Sequence, residues 1–127
     1  MDWVFFWFIY SSPLGRGFLT GAIKSRADLE EGDWRLVNPR FSEENFPKNL
    51  ELVKKIHALA EKKGVAPSEL VLAWVLAQGK DFFVIPGTKK VKYLEQNVKG
   101  GQIQLSNEDL EEMKKLVKSA TISGSRY

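Results

Sequence analysis

A short run of purely apolar residues, Phe82-Phe83-Val84-Ile85, is the strongest constraint on the fold of this 127-residue chain. All four residues are common in β-strands, and no polar residue alternates with them. Such a run is typical of a strand that is covered on both faces, as in a parallel sheet flanked by helices. The run therefore predicts an α/β protein.

Helical patterns lie on both sides of this strand. Apolar residues at helical spacing predict one helix over residues 49–63 and a second, apolar on most sides, from Pro67 or Ser68 to residue 78. A third helix is predicted over residues 90–99, with Gly100-Gly101 closing it. Residues 106–109 resemble the capping box that begins a fourth helix with an amphipathic stripe.

The remaining segments are less regular. Aromatic and β-branched residues predict a strand over residues 3–11, which is far shorter than the roughly 20 residues that cross a bilayer. This segment lacks the basic start of a signal peptide, so no membrane partner is expected. Residues 25–47 predict a long loop, and residues 119–127 a flexible tail. Two strands are too few to cover four helices, so the pattern indicates part of a larger α/β fold.

Composition narrows the classes of function. Apolar residues make up 43% and charged residues 28%, which is typical of a soluble globular protein. The absence of cysteine excludes thiolate chemistry and favours a reducing, cytoplasmic location, and the single histidine, His57, excludes a multi-histidine metal site. The net charge of +3 suits a small anionic ligand. The lysines are interleaved with acidic residues and lack a series of stacking aromatics, so nucleic acid is not expected.

Residues 85–98, with the sequence IPGTKKVKYLEQNV, suggest a binding site. A strand that ends in glycine and opens a helix directs backbone N–H groups and a partial positive charge at a ligand. Lys89 and Lys90 add two ammonium groups, so a phosphate is the natural ligand. Tyr93, Gln96 and Asn97 lie on or near one helical face, where they could contact an adenine. The residues alone leave open that this is an ordinary solvated helix.

Three segments together resemble the aldo-keto reductases. They are Ser-Pro-Leu-Gly-Arg-Gly at 12–17, Ile-Pro-Gly-Thr-Lys-Lys at 85–90 and Leu-Glu-Gln-Asn at 94–97. The Gly-Arg-Gly-Phe-Leu-Thr-Gly run at 15–21 resembles the microbial and plant branch with auxin-induced-protein-like members. The resemblance covers residues 12–118 and implies the C-terminal portion of an NADP-dependent oxidoreductase domain.

The resemblance implies a fold and a cofactor. The fold is the C-terminal part of a (β/α)8 barrel, incomplete here because a whole barrel takes about 250 residues. The cofactor is NADPH or NADP+, with residues after the seventh strand along the pyrophosphate, residues after the eighth at the 2′-phosphate, and Gln96 and Asn97 at the adenine. The implied cofactor-binding residues, with Tyr93 added from its helical position, are Ser12, Pro13, Leu14, Gly15, Arg16, Gly87, Thr88, Lys89, Lys90, Tyr93, Gln96 and Asn97. For Arg16, a salt bridge that closes the loop is an equal alternative.

The family reduces aldehydes and ketones to alcohols, with a hydride from NADPH and a proton from a tyrosine. Its catalytic Asp, Tyr, Lys and His lie on earlier strands, so no residue here is a catalytic candidate and no turnover is expected from this chain alone. His57 is predicted to be a partly exposed surface residue. Trp34 and Arg40, in the long loop, either border the substrate or hold the loop.

One departure from the family and one alternative function stay open. Tyr10-Ser11-Ser12-Pro13 is one residue longer than the family's Tyr-Ser-Pro-Leu, and a one-residue slip reverses the faces of a strand. Residues 1–11 are therefore treated as an atypical apolar segment, from an alternative start or a misassigned exon boundary.

The alternative function is a non-catalytic helical module that associates with a second copy or a partner barrel through open sheet edges.

Overall fold

The computed structural model describes residues 7–125, an α/β arrangement with two parallel strands and four α-helices in that range. The elements are β1 (Phe8–Ser11), α1 (Asn45–Lys63), α2 (Pro67–Leu76), β2 (Phe82–Ile85), α3 (Val91–Gln102) and α4 (Asn107–Ser119). β1 pairs with β2 in parallel, with Phe8 opposite Phe82 and Ser11 opposite Ile85. The predicted order of elements is confirmed, while residues 3–6 of the predicted first strand lie outside the described residues.

β2 matches the predicted strand in all four residues, but only one of its faces is covered. Phe82 and Val84 are half-buried, whereas Phe83 and Ile85 are 43% and 57% exposed. α2 packs against β2, and every residue of β1 is exposed. The expectation of two covered faces is wrong for these residues, because an apolar strand sequence does not specify what else packs on it.

Residues 25–47, predicted to be a long loop, contain three short 3-10 helices. These are Arg26–Asp28, Trp34–Val37 and Pro39–Phe41, and α1 then begins at Asn45, four residues before the predicted start. A cluster of buried apolar residues holds the segment in place, made of Ile23, Leu29, Phe41 and Phe46. Turns this short do not produce the 3.6-residue period of an α-helix, so the pattern looked irregular.

A second cluster joins α1, α2 and α4. It contains Leu59, Ala60, Leu70 and Met113, and Met113 is only 1% exposed. The predicted capping box at the start of α4 is confirmed: Ser106 Oγ accepts from the Asp109 N–H at 3.2 Å, and Asp109 Oδ2 accepts from the Ser106 N–H at 3.1 Å.

α3 continues through the two glycines that were predicted to end it and reaches Gln102. Gly100 is buried, and a Cβ atom there would lie 3.1 Å from Leu72 Cβ and 3.2 Å from Glu69 Cα. The prediction was wrong because this glycine permits close packing of α3 on α2 rather than a left-handed helix end.

The segment after α4 is tied to α1 by the side chain of Asn49, which is 2% exposed. Asn49 Nδ2 donates to the carbonyl oxygen of Ser123 at 2.9 Å, and Asn49 Oδ1 accepts from the Ser123 N–H at 2.8 Å. These two bonds connect Ser123 to α1, and the flexibility of residues 119–127 stays a prediction.

Candidate functional site

A cavity of about 600 Å³ lies where the chain leaves the two strands. The segment after β1 contributes residues 12–14 and Arg16, and the segment after β2 contributes residues 86–88. Because β1 and β2 are parallel, their carboxyl ends lie at the same edge of the sheet, which is the usual position of ligands in α/β proteins. Two segments about 70 residues apart in sequence therefore meet in one cavity.

The segment after β1 is a tight turn with an uncommon backbone conformation. Ser12 and Arg16 have φ values of 52° and 62°, in the left-handed region that non-glycine residues seldom adopt. The Gly15 N–H donates to the Ser12 carbonyl at 2.9 Å, and Arg35 Nη1 donates to the Arg16 carbonyl at 3.1 Å. These bonds hold the turn in a conformation of the kind that is concentrated at binding sites.

The segment after β2 leads into a helix whose first turn is uncapped. Thr88 Oγ1 accepts from the Lys90 N–H at 3.2 Å and fixes the approach to α3. Among residues 7–125, no side chain caps the N-terminus of α3. The backbone N–H groups of Val91 and Lys92 are therefore available to a ligand, whereas that of Tyr93 donates to the Lys90 carbonyl at 3.1 Å. The helix dipole favours a negative charge at this end.

Nine of the twelve predicted cofactor-binding residues line the cavity: Ser12, Pro13, Leu14, Arg16, Gly87, Thr88, Tyr93, Gln96 and Asn97. The other three, Gly15, Lys89 and Lys90, do not line it. Gly15 forms the turn after β1, and Lys90 Nζ lies 5.8 Å from the centroid of the Tyr93 ring. The structure thus brings most of the predicted residues together, while their roles stay predictions.

Other residues also line the cavity, although they were not predicted from the sequence to bind the cofactor. They are Gly17, Thr20, Gly21, Ala22, Ile23, Arg35, Ala66, Pro67, Ser68, Pro86 and Lys92. The first five follow directly on the turn after β1, and residues 66–68 are the start of α2, which Pro67 had marked as a helix N-terminus. Arg35 had no such signal, because it lies in the segment predicted to be a loop.

The ionisable side chains that line the cavity are Arg16, Arg35, Lys92 and Tyr93, and three of them are cations. The described residues add no Asp or Glu to its lining. Arg35 is held by Asp33 through Nε, 3.0 Å from both carboxylate oxygens, and hydrogen bonds from Arg35 lower the pKa of Asp33. The Arg16 guanidinium lies 4.3 Å from the centroid of the Trp34 ring. A cavity with three cations and no lining carboxylate favours an anionic ligand.

Trp34 and Arg40, the two loop residues considered for substrate contact, have different surroundings. Trp34 is 52% exposed and lines a smaller cavity of about 350 Å³ that shares Arg16 and Arg35 with the first. Arg40 lines neither cavity, and its Nε donates to the Gly124 carbonyl at 3.4 Å. Arg40 therefore contacts the C-terminal segment instead.

His57 is half-buried, which agrees with the predicted partial exposure, but its ring packs on another segment of the chain. A Cβ atom on Gly21 would lie 2.0 Å from His57 Nε2, so the ring packs directly against the loop that lines the cavity. Nε2 is buried and has no hydrogen-bond partner among residues 7–125. The amphipathic pattern of α1 did not predict this contact, because Gly21 is 36 residues away in sequence.

A metal-binding cluster and a membrane-spanning helix are both absent from the part of the chain that the structure describes. Residues 7–125 contain no group of three or more His, Cys, Asp or Glu side chains that could hold a metal ion. No helix in the same range combines the length and apolar character that crossing a membrane requires.

A parallel strand pair with a cavity at its carboxyl ends that is lined by cationic side chains defines an α/β protein with a candidate site for an anionic ligand. The sequence model of the aldo/keto reductase family matches residues 6–118, and the chain belongs to that family. The match begins within the atypical segment of residues 1–11 and includes β1.

Curated relatives from fungi and a plant are similar to this chain. Aldo-keto reductase yakc of Schizosaccharomyces pombe, whose name specifies NADP(+), is 51% identical over 116 residues, and aldo-keto reductase str7 of Strobilurus tenacellus is 49% identical over 115. Probable aldo-keto reductase 1 of Glycine max is 40% identical over 121 residues. Each match covers 91% of this chain but only 33% or 34% of the relative. The chain spans about a third of the length of these relatives.

Proposed function

We propose that this chain binds the phosphate and adenosine parts of NADPH. The observation that supports this most directly is the cavity with three cations and no lining carboxylate, at the carboxyl ends of two parallel strands. Its volume of about 600 Å³ lies within the range of small-molecule sites, roughly 300–1,000 Å³. The name of the Schizosaccharomyces pombe relative, which specifies NADP(+), agrees with the proposal.

Each part of the cavity has a proposed ligand group. The turn formed by residues 12–16 runs along the pyrophosphate, where its fixed backbone and the Arg16 side chain can donate hydrogen bonds. Gly87, Thr88 and the uncapped start of α3 receive the 2′-phosphate. Gln96 and Asn97 donate and accept hydrogen bonds at the adenine edge, and Tyr93 contacts its ring.

We further propose that β1 and β2 are the seventh and eighth strands of a (β/α)8 barrel. The family match, which includes β1, supports this assignment over the expectation that residues 1–11 are an atypical segment. The complete reaction would be reduction of an aldehyde or ketone, for which NADPH supplies the hydride. None of the 127 residues matches the catalytic Asp, Tyr, Lys and His of the family. These residues are therefore expected to bind the cofactor without reducing a carbonyl by themselves.

Ligand-dependent stability tests this function. NADPH at about 100 times its Kd should add about 2.7 kcal/mol to the free energy of unfolding, because it binds only the folded chain. Gln96→Ala should weaken NADPH binding about threefold to tenfold, the value of one net hydrogen bond. Gln102→Ala is the matched control, because Gln102 is on the same helix but does not line the cavity. A cooperative melt that NADPH does not shift would contradict the proposal.

The exposed sheet supports a second candidate function, association with a second copy or a partner barrel. Phe8 and Ile9 of β1 are 50% and 62% exposed, and Phe83 and Ile85 of β2 are exposed as well. Exposed apolar strands with free edges are templates for pairing. Sedimentation velocity should show association that increases with concentration and weakens in Ile9→Lys. A monomer over the whole concentration range would contradict this function.

A further inference from the structure

We propose that Lys92, rather than the pair Lys89 and Lys90, recognises the 2′-phosphate and makes the site selective for the phosphorylated cofactor. This inference rests on the proposed binding of NADPH. The paired lysines are the obvious choice in the sequence, because they stand directly before the helix. The structure favours the next lysine along the chain.

The first reason is the face of α3 on which Lys92 lies. Lys92 and Gln96 are four residues apart, as are Tyr93 and Asn97, and all four side chains line the cavity. Residues at this spacing are neighbours on one side of a helix. An ammonium group on Lys92 therefore lies one helical turn before the groups proposed to bind adenine.

The second reason is the position of the paired lysines. Lys89 and Lys90 are exposed and line neither cavity described above. The backbone of Lys90 is held on both sides by Thr88 Oγ1, which accepts from its N–H at 3.2 Å and donates to its carbonyl at 3.3 Å. The Lys90 ammonium lies over the Tyr93 ring. The pair therefore adds charge near the site without lining it.

The third reason is the state of the other cations in the cavity. Arg35 is engaged by Asp33, and Arg16 lies over Trp34. Within residues 7–125, the Lys92 side chain takes part in no hydrogen bond, ion pair or ring contact. Its three N–H donors are therefore available to a phosphate, beside the positive end of the α3 dipole.

The experiment compares adenosine 2′,5′-bisphosphate with 5′-AMP, which lacks the 2′-phosphate, by isothermal titration calorimetry. The variants are Lys92→Gln and the double variant Lys89→Gln with Lys90→Gln. Lys99→Gln is the matched control, since Lys99 is exposed on the same helix and does not line the cavity. Lys92→Gln should reduce the preference for the bisphosphate at least about tenfold, the value of a hydrogen bond to a charged group.

Further outcomes decide the proposal. Affinity for 5′-AMP should stay within about twofold in Lys92→Gln, since only the 2′-phosphate contact is lost. Lys92→Arg should restore most of the preference. A preference that survives Lys92→Gln and disappears in the double variant would overturn the role of Lys92 and leave the proposed function intact. A wild-type chain that binds neither nucleotide would overturn both.

Discussion

The backbone of α3 at Gly100 lies directly against the backbone of α2 at Glu69. A Cβ atom on Gly100 would be 3.2 Å from both the Cα and the carbonyl oxygen of Glu69. This contact determines how closely the two helices approach. One turn earlier on α3, Gln96 and Asn97 line the cavity together with the start of α2, so the packing of Gly100 also positions the proposed adenine-binding residues.

Gly100→Ala should destabilise the protein and widen the site. Alanine is favoured over glycine in a helix by up to about 1 kcal/mol, but overpacking a tight contact costs about 1–3 kcal/mol. Two of the three atoms nearest the new methyl group belong to the α2 backbone, which cannot rotate away as a side chain can. We therefore expect a lower free energy of unfolding in urea and weaker NADPH binding.

Gly101→Ala is the matched control for that substitution. The nearest atom to a Cβ there is Leu76 Cδ1 at 3.9 Å, an ordinary contact with a side chain. Only the gain in helix propensity remains, so the variant should be more stable by about 0.5–1 kcal/mol. Equal effects of the two substitutions would show that the contact with α2 does not limit the packing.

Gly21→Ala should disrupt the loop that lines the cavity. Gly21 has a φ of 73°, and a Cβ atom there would lie 1.9 Å from His57 Cε1. The variant should lose stability by more than the roughly 1–2 kcal/mol of left-handed backbone strain alone, as measured by urea unfolding. Gly64→Ala isolates that strain, because Gly64 has a φ of 67° and no atom within 4 Å of its Cβ position.

Combining Gly21→Ala with His57→Ala separates the cost of left-handed backbone strain from the cost of the clash with the His57 ring. Removing the ring should recover the steric part and leave the backbone part, so the two substitutions should be strongly non-additive. Additive effects would mean that His57 does not contact the loop as described.

Asn49→Ala should release the C-terminal segment. It removes the two bonds to Ser123 and a third, from Asn49 Nδ2 to the Arg40 carbonyl at 3.0 Å. Each buried hydrogen-bonding group that loses its partner can cost up to about 1–3 kcal/mol. We therefore expect the free energy of unfolding to fall by at least about 2 kcal/mol, and proteolysis after residue 119 to become faster. Asn45→Ala is the control, because Asn45 Nδ2 makes one bond, to the Pro39 carbonyl. Equal losses would contradict the role of Asn49.

Asp109→Asn should make stability less dependent on pH in acid. A hydrogen bond from Lys63 holds the pKa of Asp109 below its ordinary value of 3.8. A carboxyl group with a lowered pKa stabilises the fold above its unfolded pKa, and this contribution is lost as the pH falls through the folded value. The variant should therefore be less stable than the wild type at neutral pH, and the two should converge well below pH 3.8. A constant difference across this range, measured by urea unfolding, would contradict the assignment.

Secondary-structure elements that are specified by residues close together in the sequence could be predicted. β2 is defined by four consecutive apolar residues, and α4 begins at a capping box whose two hydrogen bonds join residues three positions apart. The end of α3 could not be predicted in this way. Gly100 resembles a helix stop in the sequence, and only the approach of α2 explains why a glycine is needed inside the helix.

The sequence by itself indicated both segments of the candidate site. Residues 85–98 were indicated by a glycine after a strand and polar side chains on one helical face, and residues 12–17 by the resemblance to the aldo-keto reductases. Only the tertiary structure decided which cations face the cavity. Arg35 reaches it through the 3-10 helix Trp34–Val37, and Lys92 lines it where Lys89 and Lys90 do not. The physical reason is that the direction of a side chain relative to a distant segment depends on how helices and strands pack, and neighbouring residues in the sequence do not specify that packing.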